Sequence, residues 1–268
     1  MISFRMAKHL TGKIKIIDLF AGPGGLGEGF SAFANKRRTR PFHISMSVEK
    51  EASAHKTLEL RAFARQFRQL PDAYYDYVRG NISREALFAK YPVKARSAQE
   101  ETLYGPKELG PNSDDDSLIY SRLGELKKAH DGPWIVIGGP PCQAYSLVGR
   151  ARNRGNTDYR AENDRRHFLY EEYLKVLSKI RPDVFVMENV KGILSSRVNG
   201  ELVFPKLLRD LRCPDSSLGK KVVRTSRYRI YSLVDGVELD ELTGMFPVVD
   251  VLLLLLPLEP IPLKTTFA

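Results

Sequence analysis

The sequence predicts an open, doubly wound α/β sheet with mostly parallel strands, on three observations. Short apolar runs rich in β-branched residues (Lys13–Phe20, Phe42–Val48, Trp134–Ile137 and Val184–Met187) alternate with segments of amphipathic helix length. That alternation puts crossover helices on both faces of a parallel sheet. Each run also stops abruptly, two in glycine turns and two in a carboxylate, as strands do when they deliver a loop to a ligand. Finally, 268 residues are enough to bury one full core, and no internal repeat divides them.

Taken in order, Lys13–Phe20 (KIKIIDLF) reads as a buried strand, Ala21 to Gly27 as its turn, and Leu26–Asn35 as the following helix. A second strand, Phe42–Val48, ends at Glu49 and leads into an arginine-rich amphipathic helix over Ala52–Gln69. Tyr77–Ile82 is expected as a third short strand. From Ser83 to His130 the periodicity weakens. Gly105-Pro106, Gly110-Pro111-Asn112-Ser113 and the acidic Asp114-Asp115-Asp116 mark that stretch as a surface insertion. Strand character returns at Trp134–Ile137, followed by a polar segment, Ser146–Arg166, and a helix over Phe168–Ile180 that Pro182 stops. Val184–Met187 forms the next strand, closed by Glu188-Asn189, with a helix near Leu202–Leu211 and a strand-like Tyr228–Val234 beyond it.

The 42 Lys and Arg against 32 Asp and Glu leave a formal charge of +10, which suits a polyanionic partner. The two cysteines, Cys142 and Cys213, stand in unrelated contexts, which predicts a reducing, cytoplasmic setting instead of a disulfide framework. None of the five histidines has ligand spacing to either cysteine, so no metal is expected. Met1–His9 is too short and mixed to read as a signal peptide. Val251–Leu256 is too short to cross a bilayer, and Asp250, Pro257 and Glu259 flank it, so no membrane span is expected.

Two motifs carry chemistry. Gly138-Gly139-Pro140-Pro141-Cys142-Gln143 follows an apolar strand, and its glycines and prolines make a stiff turn that displays the Cys142 thiol to a cleft. A displayed cysteine reacts as the thiolate. The other motif, Asp18-Leu19-Phe20-Ala21-Gly22-Pro23-Gly24-Gly25, lets backbone approach a ligand closely. Gly22, Gly24 and Gly27 spell G-x-G-x-x-G, but Pro23 inside that string and Phe20 at the strand tip point to a nucleoside pocket more than to a pyrophosphate cradle. Glu49, at the tip of the second strand, is placed to accept hydrogen bonds from ribose hydroxyls.

Taken together, DLFAGPGGLGEGF, SVEKEASAHKTL, GGPPCQAYSLVGRAR and FVMENVKGILSS resemble, in order, the motifs of the DNA (cytosine-5)-methyltransferases over about residues 13–196. The resemblance implies a Rossmann-like fold dependent on S-adenosyl-L-methionine and a cytoplasmic enzyme of prokaryotic restriction-modification systems. It also implies double-stranded DNA with a flipped cytosine as partner. By similarity, Cys142 is the nucleophile that adds to carbon 6 of cytosine, and Glu188, followed by Asn189, stabilises ring nitrogen 3. Phe20 stacks on adenine, Gly22 and Gly24 pass beneath the methionine moiety, Glu49 holds the ribose, Pro141 packs nearby and Asn81 stands where the family usually has an aspartate. Gln143, Ser146, Arg150 and Arg152 fall in a segment resembling the mobile loop that closes over DNA.

The chain departs from the family's pattern after the strand-like Tyr228–Val234, where a Q-x-R-x-R motif and a recognition domain are expected and do not occur. The expected division is therefore an incomplete catalytic domain over 13–244 and an apolar, proline-rich tail over 245–268, with a truncation or change of reading frame near residue 245. An RNA cytosine methyltransferase and an inactive or split fragment completed by a second polypeptide remain open as alternatives.

Overall fold

The computed structural model describes residues 13–110, 113–141, 169–189, 193, 197–198, 201–221, 227–233, 238–239 and 251–257. The elements run β1 (Ile14–Leu19), α1 (Gly25–Ala32), β2 (Phe42–Val48), α2 (Ala52–Ala64), α3 (Asp72–Val78), α4 (Arg84–Lys90), α5 (Pro92–Glu101), α6 (Asp116–Ala129) and β3 (Trp134–Gly138). They continue with α7 (Leu169–Ile180), β4 (Val184–Asn189), α8 (Val203–Arg212), α9 (Pro214–Ser217), β5 (Tyr228–Ser232) and β6 (Val251–Pro257). A two-residue ladder joins Arg197–Val198 to Glu201–Leu202.

The main sheet has the order β2-β1-β3-β4-β6-β5. The first four strands are parallel, and β6 lies antiparallel between β4 and β5. Leu19 is in register with both Val48 and Gly138, and Gly138 with Met187, so the carboxyl ends of all four parallel strands meet at one level. Ligand-bearing loops collect at that edge in open α/β sheets.

Both faces of these strands are covered, which is why their sequences read as unbroken apolar runs. Ile16, Ile44, Ile135, Ile137 and Val186 pack with Leu26 and Phe30 of α1 on one face. On the other, Ile17, Leu19, Met46, Val136 and Phe185 pack with Tyr173 and Leu177 of α7 and with Phe204 and Leu208 of α8. Burying each such side chain stabilises the fold by roughly 1.5–3 kcal/mol.

Two expectations are corrected. Tyr77–Ile82 is not a strand: α3 covers Asp72–Val78, and the chain then turns at Gly80, whose φ is +80°. Pro71 starts the helix, and Ala73, Tyr74 and Tyr77 repeat at helical spacing, so the aromatic residues face a small cluster around Phe63 and Leu87. Nor is 83–130 a mere surface insertion. It forms α4, α5 and α6, which bury Leu87, Ala95, Ala98, Ile119 and Leu123. Small alanines with few large apolar residues pack α5 closely while leaving little periodic signal in the sequence. The first two helices are also shorter than expected, α1 stopping at Ala32 and α2 at Ala64.

The apolar run near the end of the chain joins the sheet. Its residues 251–257 pair with β4 (Glu188 opposite Leu252) and with β5 (Ile230 opposite Leu255), so strands from either side of residue 245 share one sheet.

Candidate functional site

At the carboxyl edge of β1, β2 and β3, a pocket is lined by Phe20, Val48, Glu49, Lys50, Lys107, Leu109, Gly139, Pro141 and Leu169. The sequence places Phe20, Glu49 and Pro141 here, and they do converge. Phe20 takes a left-handed backbone conformation, φ 54°, which turns the chain sharply off β1. Gly22 and Gly24, with φ 56° and 88°, carry the turn into α1. A Cβ on Gly24 would stand 2.8 Å from Leu58 Cδ1, so glycine is what lets the turn seat against α2.

Glu49 organises this edge. Its Oε2 accepts from the Gly22 amide at 2.7 Å and its Oε1 from the Glu51 amide at 2.7 Å, so one carboxylate ties the glycine turn to the end of β2. Each carboxylate oxygen has a further lone pair for a ligand hydroxyl.

Sequence reasoning missed the far wall. The Lys107 amide donates to the Glu49 carbonyl at 2.8 Å, Lys50 pairs with Glu108 at 3.1 Å, and Lys107 with Asp115 at 3.1 Å. These contacts hold Lys107 against the end of β2 and bring Leu109, only 3% exposed, into the pocket wall. The available signal was Leu109 itself, the single apolar side chain between Tyr104 and Leu118. Asn81, by contrast, is exposed in the turn after α3, where its side-chain amide faces Asp76 at 3.4 Å, and it is not among the residues lining the pocket. An α3 helix where a strand was expected carries it away from the strand ends.

Opposite the pocket, Glu188 is exposed and Asn189 buried at the end of β4. The two glycines before the prolines have separate steric duties. A Cβ on Gly138 would lie 2.2 Å from the Leu19 carbonyl oxygen, and one on Gly139 would lie 2.6 Å from Glu188 Oε2. The turn can therefore pass between β1 and Glu188 only without side chains. Cys142, Gln143, Ser146, Arg150 and Arg152 lie outside the described residues.

Beneath the glycine turn lies a buried ionic cluster. Asp18 of β1 is 2% exposed and faces the first turn of α1, where a Cβ on Gly27 would be 2.8 Å from its Oδ2. Oδ2 has no hydrogen-bond partner of ordinary geometry, and neither has Ser47 Oγ on β2. Arg65, after α2, bridges Glu101 of α5 at 2.5 Å and Glu28 of α1. Burial pushes the Asp18 carboxyl up to about 8; the Glu101 charge adds to the rise, while Arg65 and the Gly27 amide oppose it. Burial also raises Glu101 to about 7, against the pull of Arg65.

A glycine turn after β1, an acidic residue ending β2, and an apolar slot between them on a parallel sheet define an α/β domain of the Rossmann-like methyltransferase class. Residues 108–215 match the family model described as C-5 cytosine-specific DNA methylase. The type II methyltransferase M.Bpa9945I of Bacillus paralicheniformis is 34% identical over 203 residues, covering 68% of this chain and 42% of that protein. M.BspRI of Lysinibacillus sphaericus is 25% identical over 232 residues, covering 86% and 45%. The chain belongs to the C-5 cytosine-specific DNA methylase family, and it spans less than half the length of these two relatives. Among solved structures, the Entamoeba histolytica methyltransferase EhMeth superimposes with a TM-score of 0.45 at 15% identity, over 96% of this chain and 56% of that one.

Among the described residues no helix is long and apolar enough to cross a membrane, and no group of three or more His, Cys, Asp or Glu is placed to hold a metal ion.

Proposed function

We propose that the chain is the catalytic portion of a DNA (cytosine-5)-methyltransferase of a prokaryotic restriction-modification system, acting in the cytoplasm on carbon 5 of cytosine with S-adenosyl-L-methionine as donor. The observation that carries this reading is the meeting, at one edge of the sheet, of a nucleoside-type pocket and the Glu188 carboxylate. Only the Gly138–Pro141 turn separates them, and its next residue is Cys142.

The pocket residues fit an adenosyl group: Phe20, Leu109 and Pro141 offer apolar surface, Glu49 offers acceptors, and the open space beside Gly22 leaves room for a chain to pass. When bound, the group supplies an electrophilic methyl on a sulfonium. The remaining chemistry falls to the protein. Carbon 5 of cytosine is a weak nucleophile, so the Cys142 thiolate adds to carbon 6 and raises electron density at carbon 5. Glu188 hydrogen-bonds or protonates ring nitrogen 3, stabilising the charge that develops, and Asn189 fixes the end of the strand that presents it. After methyl transfer the carbon 5 proton leaves and the carbon–sulfur bond breaks, returning the thiolate. A base inside a duplex cannot reach Cys142, so the cytosine is flipped out while Gln143, Ser146, Arg150 and Arg152 grip the flanking DNA.

A duplex carrying 5-fluorocytosine tests this reading, because fluorine cannot leave as a cation and the adduct is trapped. Incubated with donor, the chain is expected to give a covalent species mapped to Cys142, absent from Cys142→Ser. Adduct formed only after a second polypeptide is supplied identifies a split enzyme whose recognition domain resides elsewhere. Adduct with RNA and none with DNA moves the substrate to RNA.

A further inference from the structure

The loop between α1 and β2 is a strongly charged surface that the proposed mechanism leaves unused. From Gly29 to Val48 the chain has no Asp or Glu, yet Lys36, Arg37, Arg38 and Arg40 fall within five positions, and all four are exposed. Among the described residues no ion pair or hydrogen bond holds any of their side chains. Elsewhere guanidinium groups are matched to carboxylates, as Arg65 is to Glu28 and Glu101, Arg84 to Glu59 and Arg122 to Glu125. Nor do the four serve to complement a helix dipole. That field acts over the last turn, and α1 ends at Ala32 with no basic residue in its last turn.

Asn35 sets how the loop stands. Its Oδ1 accepts from the Arg37 and Thr39 amides, each at 3.0 Å, its own amide donates to the Thr39 carbonyl at 3.0 Å, and its carbonyl accepts from the Arg38 amide at 2.8 Å. Arg38 is thereby kept at φ 58°, a conformation that arginine rarely adopts. A backbone fixed in this way loses less freedom when its side chains engage a partner. The Ile14 amide donates to the Pro41 carbonyl at 2.8 Å, so the exposed Lys13 enters the sheet beside Arg40. One step further on, Lys15 stands opposite His43, whose imidazole is held down to about 4 by burial and then by the Lys15 and Lys13 charges. The field along this edge is positive. It is also the amino edge of the sheet, and the seven residues of β2 separate it from Glu49 and the pocket by roughly 20 Å.

We propose that Lys13 and the 36–40 loop form a second DNA-binding surface, which grips the phosphate backbone of a duplex segment other than the one whose cytosine reaches Cys142. The grip is independent of sequence, because unpaired cations meet phosphates and no group here is placed to read bases. Phosphate suits the surface better than an acidic protein does. A protein interface needs an apolar centre, and the exposed apolar side chain beside the loop is Phe33, whose ring already packs on Phe42 at 5.8 Å. DNA is also the polyanion that the chain's family modifies. Holding a second segment keeps the chain on DNA while the catalytic edge lets one site go.

Trapping the full chain on an unlabelled 5-fluorocytosine duplex fills the catalytic edge, and anisotropy of a labelled duplex made only of A·T pairs then reads the second surface. The adduct is expected to bind it with a slope of log affinity against log salt of about −3 to −4, near −0.9 for each phosphate neutralised. Combining Lys36→Gln, Arg37→Gln, Arg38→Gln and Arg40→Gln is expected to remove most of that slope and to weaken binding by roughly tenfold or more, with trapping unchanged. Lysine acetylation footprinting of the wild type supplies a readout that needs no variant: the A·T duplex is expected to protect Lys36 and Lys13. Equal slopes in wild type and variant, or no protection of these lysines, overturns the proposal. So does protection by polyglutamate or by duplex RNA where DNA gives none, which assigns the surface to that partner instead. If no adduct forms, the proposed catalytic function fails, and the same footprint on the free chain still decides whether this loop holds DNA.

Discussion

Gly138 and Gly139 show how much of a catalytic edge is decided by atoms that are missing. One presses its backbone against the Leu19 carbonyl and the other leaves space for the Glu188 carboxylate. Gly139→Ala would put a methyl 2.6 Å from Glu188 Oε2, a distance that real Cβ contacts do not tolerate. The exposed end of a glutamate swings aside easily, so the expected cost to stability is small, within about 1 kcal/mol. The cost to chemistry is large, because Glu188 then leaves its place beside the nucleophile turn. Adduct formation with 5-fluorocytosine DNA is expected to fall by roughly a hundredfold or more, a typical penalty for losing a positioned proton donor, and to fall further than ligand affinity at the Phe20 pocket, which Gly139 also lines. A trapping time course beside a binding isotherm reads both. The repeated glycines were plain in the sequence; that the second one faces Glu188 was not, since 49 residues separate them.

At the level of elements, the buried cluster ties α1, α2, α5, β1 and β2 into one block, and its titration gives the fold an unusual pH dependence. Asp18 and Glu101 ordinarily ionise near 3.8 and 4.5, and in the folded chain at about 8 and about 7. The folded state therefore binds more protons than the unfolded chain between those limits. A raised folded value means that the contribution is fully present below about pH 4 and is lost as pH climbs towards 8. Asp18→Asn removes the largest share of that loss. The melting temperature of the variant, minus that of the wild type, is expected to grow steadily from pH 5 to pH 8.5; a difference independent of pH would refute the assignment. None of this could be read from Asp18 in DLFAG, because α5 supplies Glu101 from 83 residues away. The same distance effect explains Asn81 and Leu109. Local tyrosines suggested a strand where tertiary packing around Phe63 made α3, and the wall that closed the pocket came from a segment of turn-forming residues instead.

For the molecule as a whole, the decisive placement is β6. It reaches the sheet last among the described strands and fills an interior position, hydrogen-bonded on both sides, and among the described strands it is the one that joins β5 to the sheet. Leu254 stands opposite both Val186 and Tyr231. Leu254→Pro removes one ladder donor and clashes with a neighbouring strand, at a cost of about 3 kcal/mol or more, comparable to proline inside a helix. Loss of β5 protection in hydrogen exchange, together with a lower midpoint in urea, is the expected outcome. Unchanged exchange at Arg229–Tyr231 would place β6 outside the sheet.

By itself the sequence determined the parallel sheet, the glycine turn, Glu49 and the paired motifs around Cys142 and Glu188. Those signals are local: apolar runs of strand length, residues that suit tight turns, and reactive groups within a few positions of them. The tertiary structure alone decided the helices α3 to α6, the Lys107–Leu109 wall, the proton-holding surroundings of Asp18 and the entry of residues 251–257 into the sheet. Each of these depends on groups far apart in the chain meeting in a water-poor interior. There a carboxylate's charge, a strand's unpaired edge and a lone leucine acquire consequences that their sequence neighbours do not foretell.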